Sequence, residues 1–529
     1  MPTTSSFRPP GVWRELLGQA GPLLLASGLQ LTNLVVDRAW VGRCGEESLA
    51  AVGAAQAVLA LLTTGFLGLG MGTLAGVARG VGAGRPRQAA RHLGQGLLLA
   101  LGLAGLVSLS ALVLPGAVLR WQQAHPALAA EAAGYLRVGL LGAPLQATLL
   151  VLAFALQGAG QARAALRVQI LSPLVNLLLD PLLVVAAGLG APGAAWATLL
   201  ANGVAVLGAA RVLRASRPLL PLDAGCFAPR AALLRAIGAQ GASGALEHLT
   251  RNGAALALVA LLTPLGAHVL SAWTAVGALL LVLVFPGLAL GQAAASLVGR
   301  SLGAGRPERA REAAWSAALA YALALALAGL ALSAAGPGLL GLFGAGPRAV
   351  AEGAALLDRL APALPFLGLA LILGKVMSGA GRPLLPLGAV VLGHVVVQLP
   401  LVALLAHQGG ARAAWLGVAL AFVVQGALLS ALVARHLGGP PLPRWRPLLA
   451  ALWRPSARAL PALVRLSPLW LLLCGCQAVD FTERRHLGDP IMALEDSPAE
   501  THLQQKTRYS REGSAGGIGG SAGGGCGCY

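Results

Sequence analysis

The chain reads as an all-α membrane protein: twelve transmembrane helices in two pseudo-symmetric six-helix lobes, followed by a flexible C-terminal tail. Three observations carry that expectation. The composition is too apolar for a water-facing surface, apolar runs long enough to cross a bilayer recur, and the first half of the chain repeats in the second at a fixed offset.

Of the 529 residues, 57% are hydrophobic and only 11% charged. A soluble domain is nearer half apolar and a quarter charged. Apolar runs of about 20 residues, enough for a hydrocarbon core of roughly 30 Å, recur through the chain. Lipid leaves no water for open backbone groups, so the spans are expected to be helices. They fall near 15–37, 48–75, 92–118, 128–157, 165–187 and 193–213, then 236–262, 268–297, 313–335, 349–377, 384–406 and 412–434. Residues 1–14 are short and polar and do not read as a cleavable signal.

The net charge of +19 does not indicate nucleic acid. Most of it is Arg gathered in short loops on one side: Arg79, Arg85, Arg87 and Arg91, then Arg163 and Arg167, then the 211–235 stretch, then Arg300, Arg306, Arg309 and Arg311. The alternate loops are poorer in Arg. This is the positive-inside bias, and it puts those loops and the N-terminus in the cytoplasm. Membrane spans would cut a nucleic-acid-binding face to pieces, so no nucleic-acid partner is expected.

The repeat is most legible at the loops. "VARGVGAGRP" (Val77–Pro86) aligns with "VGRSLGAGRP" (Val298–Pro307) at an offset of 221 residues. The same register pairs "GEESLAA" (Gly45–Ala51) with "GAHVLSA" (Gly266–Ala272), and "QGAGQ" (Gln157–Gln161) with "SGAGR" (Ser378–Arg382). Three separated matches in one gap-free register define two homologous halves with the same sidedness, an architecture known among secondary transporters. The domains are then an N-terminal lobe at 1–213, a cytoplasmic linker at 214–235, a C-terminal lobe at 236–440 and an appended tail at 441–529. The GAGRP turns lack the GK[ST] ending of a phosphate loop, so no nucleotide hydrolysis and no enzymatic activity is implied.

Charge inside the spans carries the chemistry. A charged residue at a helix centre costs roughly 2.5–3.5 kcal/mol on insertion scales. Asp37 lies in span one and Asp180 in span five. Asn176 is four residues before Asp180, so the two share a helix face. Such a carboxylate is comfortable when protonated, or when ionised beside a bound cation, and two nearby acids titrate as a pair. That is what an ion-coupled carrier requires. The bland alternative is a structural ion pair, but Arg38 projects about 100° away from Asp37 on a helix. No base lies between Asn176 and Leu200. At the repeat offset the two acids meet Leu258 and Leu401, so the lobe can be built without them.

In the second half, Glu247, His248 and Arg251 share span seven, and Arg251 stands four residues from Glu247, where it can neutralise it. His394 and Gln398 share a face of span eleven. Glu247, Arg251, His394 and Gln398 are the second-lobe candidates for coupling or substrate contact. Lys375 is expected to snorkel at the cytoplasmic end of span ten. Pro22 interrupts span one fifteen residues before Asp37, where a static or a gating kink is expected. No metal site or resident cofactor is called for.

The stretches "VVDRAWVGRCGEESLAAVG" (Val35–Gly53), "VNLLLDPLL" with "GAPGAAWATLLA", and "LVGRSLGAGRPERAREAA" (Leu297–Ala314) together resemble the multidrug and toxic compound extrusion (MATE) family over about residues 12–440. The Asp37 and Asn176/Asp180 pattern looks most like the prokaryotic branch named after the DNA-damage-inducible F protein. The resemblance implies export of organic, often cationic or amphipathic, compounds against an inward H+ or Na+ gradient by alternating access. It makes Asp37 and Asp180 the cation-coupling groups, and Asn176 and Thr198 match polar positions of the same cluster. The partners it implies are small organic substrates and membrane lipids, and the expected place is the bacterial inner membrane, as a monomer. A lipid-linked precursor flippase of the same superfamily is the alternative, favoured by a basic central cavity. A non-transporting scaffold is the third.

The tail departs from the transporter pattern. "SARALPALVRLSPLWLLLCGCQAVDF" has two Arg, a short apolar run and a small residue before Cys476, the layout of a bacterial lipoprotein signal with Cys476 as the lipidation site. Beyond it the chain turns polar and then Gly/Ser-rich, which predicts a flexible segment. Residues 460–529 resemble short uncharacterised bacterial lipoproteins that end in Cys-Gly-Cys. If the signal is used, cleavage before Cys476 releases a small C-terminal fragment. A gel of the expressed full-length protein checks this, and an intact chain rejects the signal.

Overall fold

The computed structural model describes residues 11–44, 46–116, 126–341 and 346–440. The chain divides into two compact units, Met1–Arg454 and Pro455–Tyr529, and all described residues lie in the first. Cys476 and the tail lie outside the described residues.

Every regular element among the described residues is helical. The first lobe holds α1 (Val12–Gly42), α2 (Glu46–Gly82), α3 (Pro86–Leu109), α4 (Pro126–Leu141), α5 (Ala143–Gly158), α6 (Ala162–Asp180) and α7 (Gly190–Ala215). The second holds α8 (Ala231–Leu262), α9 (Ala267–Gly303), α10 (Pro307–Gly341), α11 (Pro347–Leu360), α12 (Leu364–Gly379), α13 (Leu384–Val390) and α14 (Leu399–Leu437). Among the described residues eight stretches are long and apolar enough to cross a membrane, and the bent α4–α5 pair makes nine. That pair bends by 47° where Pro144 removes a backbone donor.

The last stretch, Leu384–Leu437, has 54 residues. At about 1.5 Å per residue it is more than twice a bilayer core. It turns back on itself at Gly409 and Gly410, and the backbone around Val402 then packs against Gly417. α1 and α8 carry enough polar residues to miss the apolar criterion, yet they run 31 and 32 residues. With them, and with the fold-back counted as two, the passes number the twelve the sequence predicts.

The repeat is visible as local geometry. Four turns carry a glycine with positive φ: Gly84 (68°), Gly160 (79°), Gly305 (69°) and Gly381 (82°). Each closes the preceding helix with the same pair of reverse hydrogen bonds, for example Gly84 N–H to Val81 O and Arg85 N–H to Gly80 O. An L side chain resists this left-handed position, which is why glycine recurs there. Prolines open the helices that start at Pro86 and Pro307, and those that start at Pro126 and Pro347, again 221 apart. A first-turn N–H has no helical partner to lose, so proline costs nothing there.

Two cores fill the lobes, and each reaches across for one helix end. Leu16 of α1 is fully buried and belongs to the second-lobe core, which also holds Trp315 and Val298. Its repeat counterpart Ile237, of α8, is buried among first-lobe residues such as Leu69, Leu93 and Leu220. The lobes therefore meet at the Arg-rich end, and deeper in the bundle α2 crosses α8 with Gly68 against Gly241 and Gly244, too close for a side chain. The linker is shorter than expected, because α7 runs to Ala215 and α8 begins at Ala231. It is pinned to the first lobe by the buried Gln95 of α3. That amide donates to Cys226 O at 2.9 Å and Ala228 O at 3.0 Å, and accepts from Arg230 N–H at 2.9 Å.

Pro22, Pro173 and Pro286 lie inside α1, α6 and α9 without ending them. The only non-helical backbone inside α14 is at Gly409 and Gly410, and Gly410 (φ 65°, ψ −157°) occupies a region that only glycine enters without strain. Gly410→Ala is expected to cost about 1–3 kcal/mol. Thermal unfolding of the purified protein in detergent reads this as a lowered midpoint.

Candidate functional site

α1, α2, α4 and α6 bring one polar cluster together inside the first lobe. α6 presents Ser172, Asn176 and Asp180 at successive turns of one face. Asn176 and Asp180 are almost wholly buried, at 1% and 0% exposure, and Asp37 of α1 is buried beside them at 5%. The Asn176 amide donates to Asp180 Oδ2 at 2.8 Å. Gln56 of α2 donates to Asp37 Oδ2 at 3.3 Å and to the Tyr135 hydroxyl oxygen at 3.0 Å. The two carboxyls lie within electrostatic range of each other, and Tyr135 lies within range of both. Arg38 is exposed and makes no ion pair with Asp37, though it lies within electrostatic range of it.

What the cluster lacks is donors. Asp37 Oδ1, Asp180 Oδ1, Asn176 Oδ1 and Asn33 Oδ1 are all buried without a hydrogen-bond partner. Buried polar atoms are nearly always satisfied. Four orphan acceptors, two on each of the packed helices α1 and α6, suit a group that accepts electron density: a proton on a carboxyl, or a hard cation that takes oxygen ligands. At Asp180 the backbone also leaves the α-helix, running as a wider turn over Pro181–Ala186. Such widened turns recur at functional sites.

Of the residues singled out from sequence, Asp37, Asp180 and Asn176 come together. Thr198 of α7 does not bond to them. Its side chain is exposed, one turn before Asn202, which accepts from Ser172 at 2.6 Å. Three members were missed: Asn33, Gln56 and Tyr135. A signal for Asn33 was present. "NLVVD" (Asn33–Asp37) and "NLLLD" (Asn176–Asp180) are the same Asn–Leu–x–x–Asp pattern on two different helices. Gln56 and Tyr135 had no comparable signal, since each is a lone polar residue whose proximity to Asp37 exists only in the packed lobe.

The second lobe holds a mixed cluster. Arg251 bonds Glu247 at 3.2 Å, so the internal ion pair forms. His394 Nδ1 accepts from the Gln425 amide at 2.8 Å and lies in a second widened turn, Val391–Gln398. Gln398 is buried and makes no bond to His394 among the described residues. Lys375 does not snorkel. It lines a crevice with Glu247, His248 and Gln240, across from Gly68, Met71 and Gly72 of the first lobe. Its stem packs on Gly291, and its charge lies within electrostatic range of both Glu247 and His248. The repeat counterpart of Lys375 is Phe154, so this charge belongs to the second lobe alone.

Among the tryptophans, Trp40 is covered by the Arg43 guanidinium at 4.2 Å, and Trp273 stacks on Trp415 at 6.3 Å. Trp196 remains exposed.

Comparison with known proteins places this geometry. The MatE family model matches residues 22–182 and 245–404, and a family described as a domain of unknown function, DUF4266, matches 479–529. The chain is 28% identical over 425 residues to "Probable multidrug resistance protein YpnP" of Bacillus subtilis, covering 79% of this chain and 94% of the relative. Over 142 residues it is 33% identical to "DNA damage-inducible protein F" of Escherichia coli, covering 27% and 31% of the two chains. A MATE crystal structure in a straight conformation shares the fold at a TM-score of 0.75 and 23% identity, over 80% of this chain and 96% of that one.

The Glu247–Arg251 pair gives a stability prediction. Arg251→Met leaves the carboxylate without its bonded partner and is expected to cost about 1–3 kcal/mol. Glu247→Gln combined with Arg251→Met is expected to cost less than Arg251→Met alone. Thermal unfolding of the single and double variants in detergent measures the difference.

Proposed function

Because the chain belongs to the MatE family, whose members are multidrug efflux transporters and not enzymes, we propose that it exports organic cations and amphipathic compounds in exchange for H+ or Na+. The single observation that supports this most is the set of orphaned buried oxygens around Asp37 and Asp180, in a lobe whose twin carries leucine at both positions.

The cycle follows from charge. With Asp37 and Asp180 ionised, the first lobe presents net negative charge in an apolar setting and draws an organic cation toward it. When H+ or Na+ enters the cluster, it supplies the missing electron-pair acceptor and removes that attraction. Coupling requires only that cation and substrate bind the inward- and outward-open states with different affinity. Asn176 and Asn33 would hold the ion with the two acids, Gln56 and Tyr135 would orient Asp37, and Thr198 would face the path to the site. Pro22 removes one α1 backbone bond fifteen residues from Asp37 and makes α1 the element best suited to bend when the cluster changes charge. The Arg-rich end, with the N-terminus, faces the cytoplasm in the bacterial inner membrane.

Glu247, Arg251, His394 and Gln398 act on the substrate side in this scheme, since Arg251 already neutralises Glu247 and leaves the acid poorly suited to coupling. Lys375 and Arg251 against Glu247 leave that cluster one positive charge in excess, which favours substrates bearing an acidic as well as a basic group. A lipid-linked precursor flippase would want a basic cavity throughout, and the buried Asp37 and Asp180 of the first lobe disfavour it.

Efflux of a fluorescent cation from vesicles tests the scheme, with H+ and Na+ gradients imposed separately. Asp37→Asn and Asp180→Asn are each expected to lower gradient-driven efflux by roughly 5- to 150-fold, the span of a coupling energy of about 1–3 kcal/mol. Unchanged accumulation against the gradient in both variants would sink the assignment.

A further inference from the structure

The Arg-rich end is closed by charge as well as by packing, and the charge is placed unevenly. Glu15 of α1 reaches across the lobe boundary to two arginines of the second lobe. Its Oε1 lies 2.7 Å from Arg300 Nη1 and its Oε2 lies 2.6 Å from Arg309 Nη2. All three side chains are 16–18% exposed. Arg300 and Arg309 are within electrostatic range of each other, and the one carboxylate bonds both.

The surrounding frame is two-fold. The Arg300 guanidinium covers the Gly160 turn of the first lobe, and its counterpart Arg79 covers the Gly381 turn of the second. Gly82 packs on the Arg300 backbone, and Gly303 packs on that of Arg79. The Leu16 and Ile237 exchange lies at the same level. The acid breaks this symmetry. The counterpart of Glu15 is Ala236, the counterpart of Arg309 is Gln88, and Arg79 has no carboxylate within ion-pair distance among the described residues. The Ser296 hydroxyl adds one more link across the lobes, donating to Gln157 O at 2.5 Å.

We infer that Glu15, with Arg300 and Arg309, is a one-sided charged latch that sets how readily the carrier opens at its Arg-rich end. A buried ion pair suits this task. Desolvation offsets most of its Coulomb gain, so it fixes geometry more than it adds stability. When the lobes part at this end, water reaches all three groups and repays that desolvation, so the latch can release once per cycle. Removing the acid alone has a different effect: the second lobe keeps both guanidinium groups, and the closed state loses both ion pairs that tie them to the first lobe. Glu15 is thus a positioning residue. It touches no coupling ion, and it acts by weighting the two end states of the transporter.

The test is a distance measurement on the full-length protein in lipid nanodiscs, with no substrate or gradient present. Genetically encoded spin labels at Arg87 and Glu308, exposed counterparts on opposite lobes at this end, report whether it is open. Glu15→Gln is expected to raise the long-distance population at least about tenfold, a change of roughly 1.4 kcal/mol. Arg300→Glu alone should do the same. Glu15→Arg with Arg300→Glu and Arg309→Glu restores opposite charges across the lobes and should restore the short distance. Ala236→Glu supplies Arg79 with the acid it lacks and should lower the open population below wild type. The inference is overturned if Glu15→Gln keeps the wild-type distances, if the charge swap fails to close what the single changes opened, or if Ala236→Glu fails to lower the open population. Thermal unfolding of each variant separates opening from misfolding. Because the readout needs neither ion nor substrate, its failure is distinct from failure of the Asp37/Asp180 assignment.

Discussion

The structure depends on one constraint: a helix in lipid satisfies its own backbone but cannot satisfy a charge. Every ionised side chain in a span must find its partner inside the bundle. The two lobes answer this in different ways. The first buries Asp37 and Asp180 with amides and a phenol, in no ion pair among the described residues, and leaves oxygen atoms without donors. The second pairs its acid at once, Glu247 with Arg251, and adds Lys375 and His394 around it. An unpaired acid is expensive and therefore responsive to a proton or a cation. A paired one is quiet. The same backbone frame thus supports one lobe with unpaired acids and one whose acid is paired.

The frame itself is economical. Four glycine turns with the same hydrogen bonds, two pairs of helix-opening prolines and one reciprocal exchange of buried side chains fix both lobes and their contact at the Arg-rich end. Close helix crossings at Gly68, Gly82 and Gly303 leave no room for side chains there, so the lobes meet backbone to backbone. An interface of that kind is well packed in one arrangement and offers little in between, which is what a carrier with two end states needs. Charge such as that of Glu15 can then bias the equilibrium without altering the frame.

Some of the site was legible before the fold. An acid in an apolar run announces itself, and the partner on the same helix face follows from the 3.6-residue period. Asn176 and Asp180 were found this way, and Asn33 was within reach of the same logic. Gln56 and Tyr135 were not, because their role exists only where α2 and α4 pack beside α1. Lys375 was misjudged for the converse reason. Its distance from the chain's Arg-rich turn suggested an escape to the membrane surface, while the crossing of the lobes turns it into the crevice.

By itself the sequence determined the class, the twelve passes, the two-fold repeat and the helix carrying each acid. These depend on composition, period and offset, which are properties of the chain as a line. The tertiary structure decided which polar groups face one another: that Asp37 meets Gln56, that Arg251 pairs with Glu247, and that Glu15 meets Arg300 and Arg309 across the lobes. Those outcomes depend on distances of a few ångströms between helices far apart in the chain, and no periodicity along one helix encodes them.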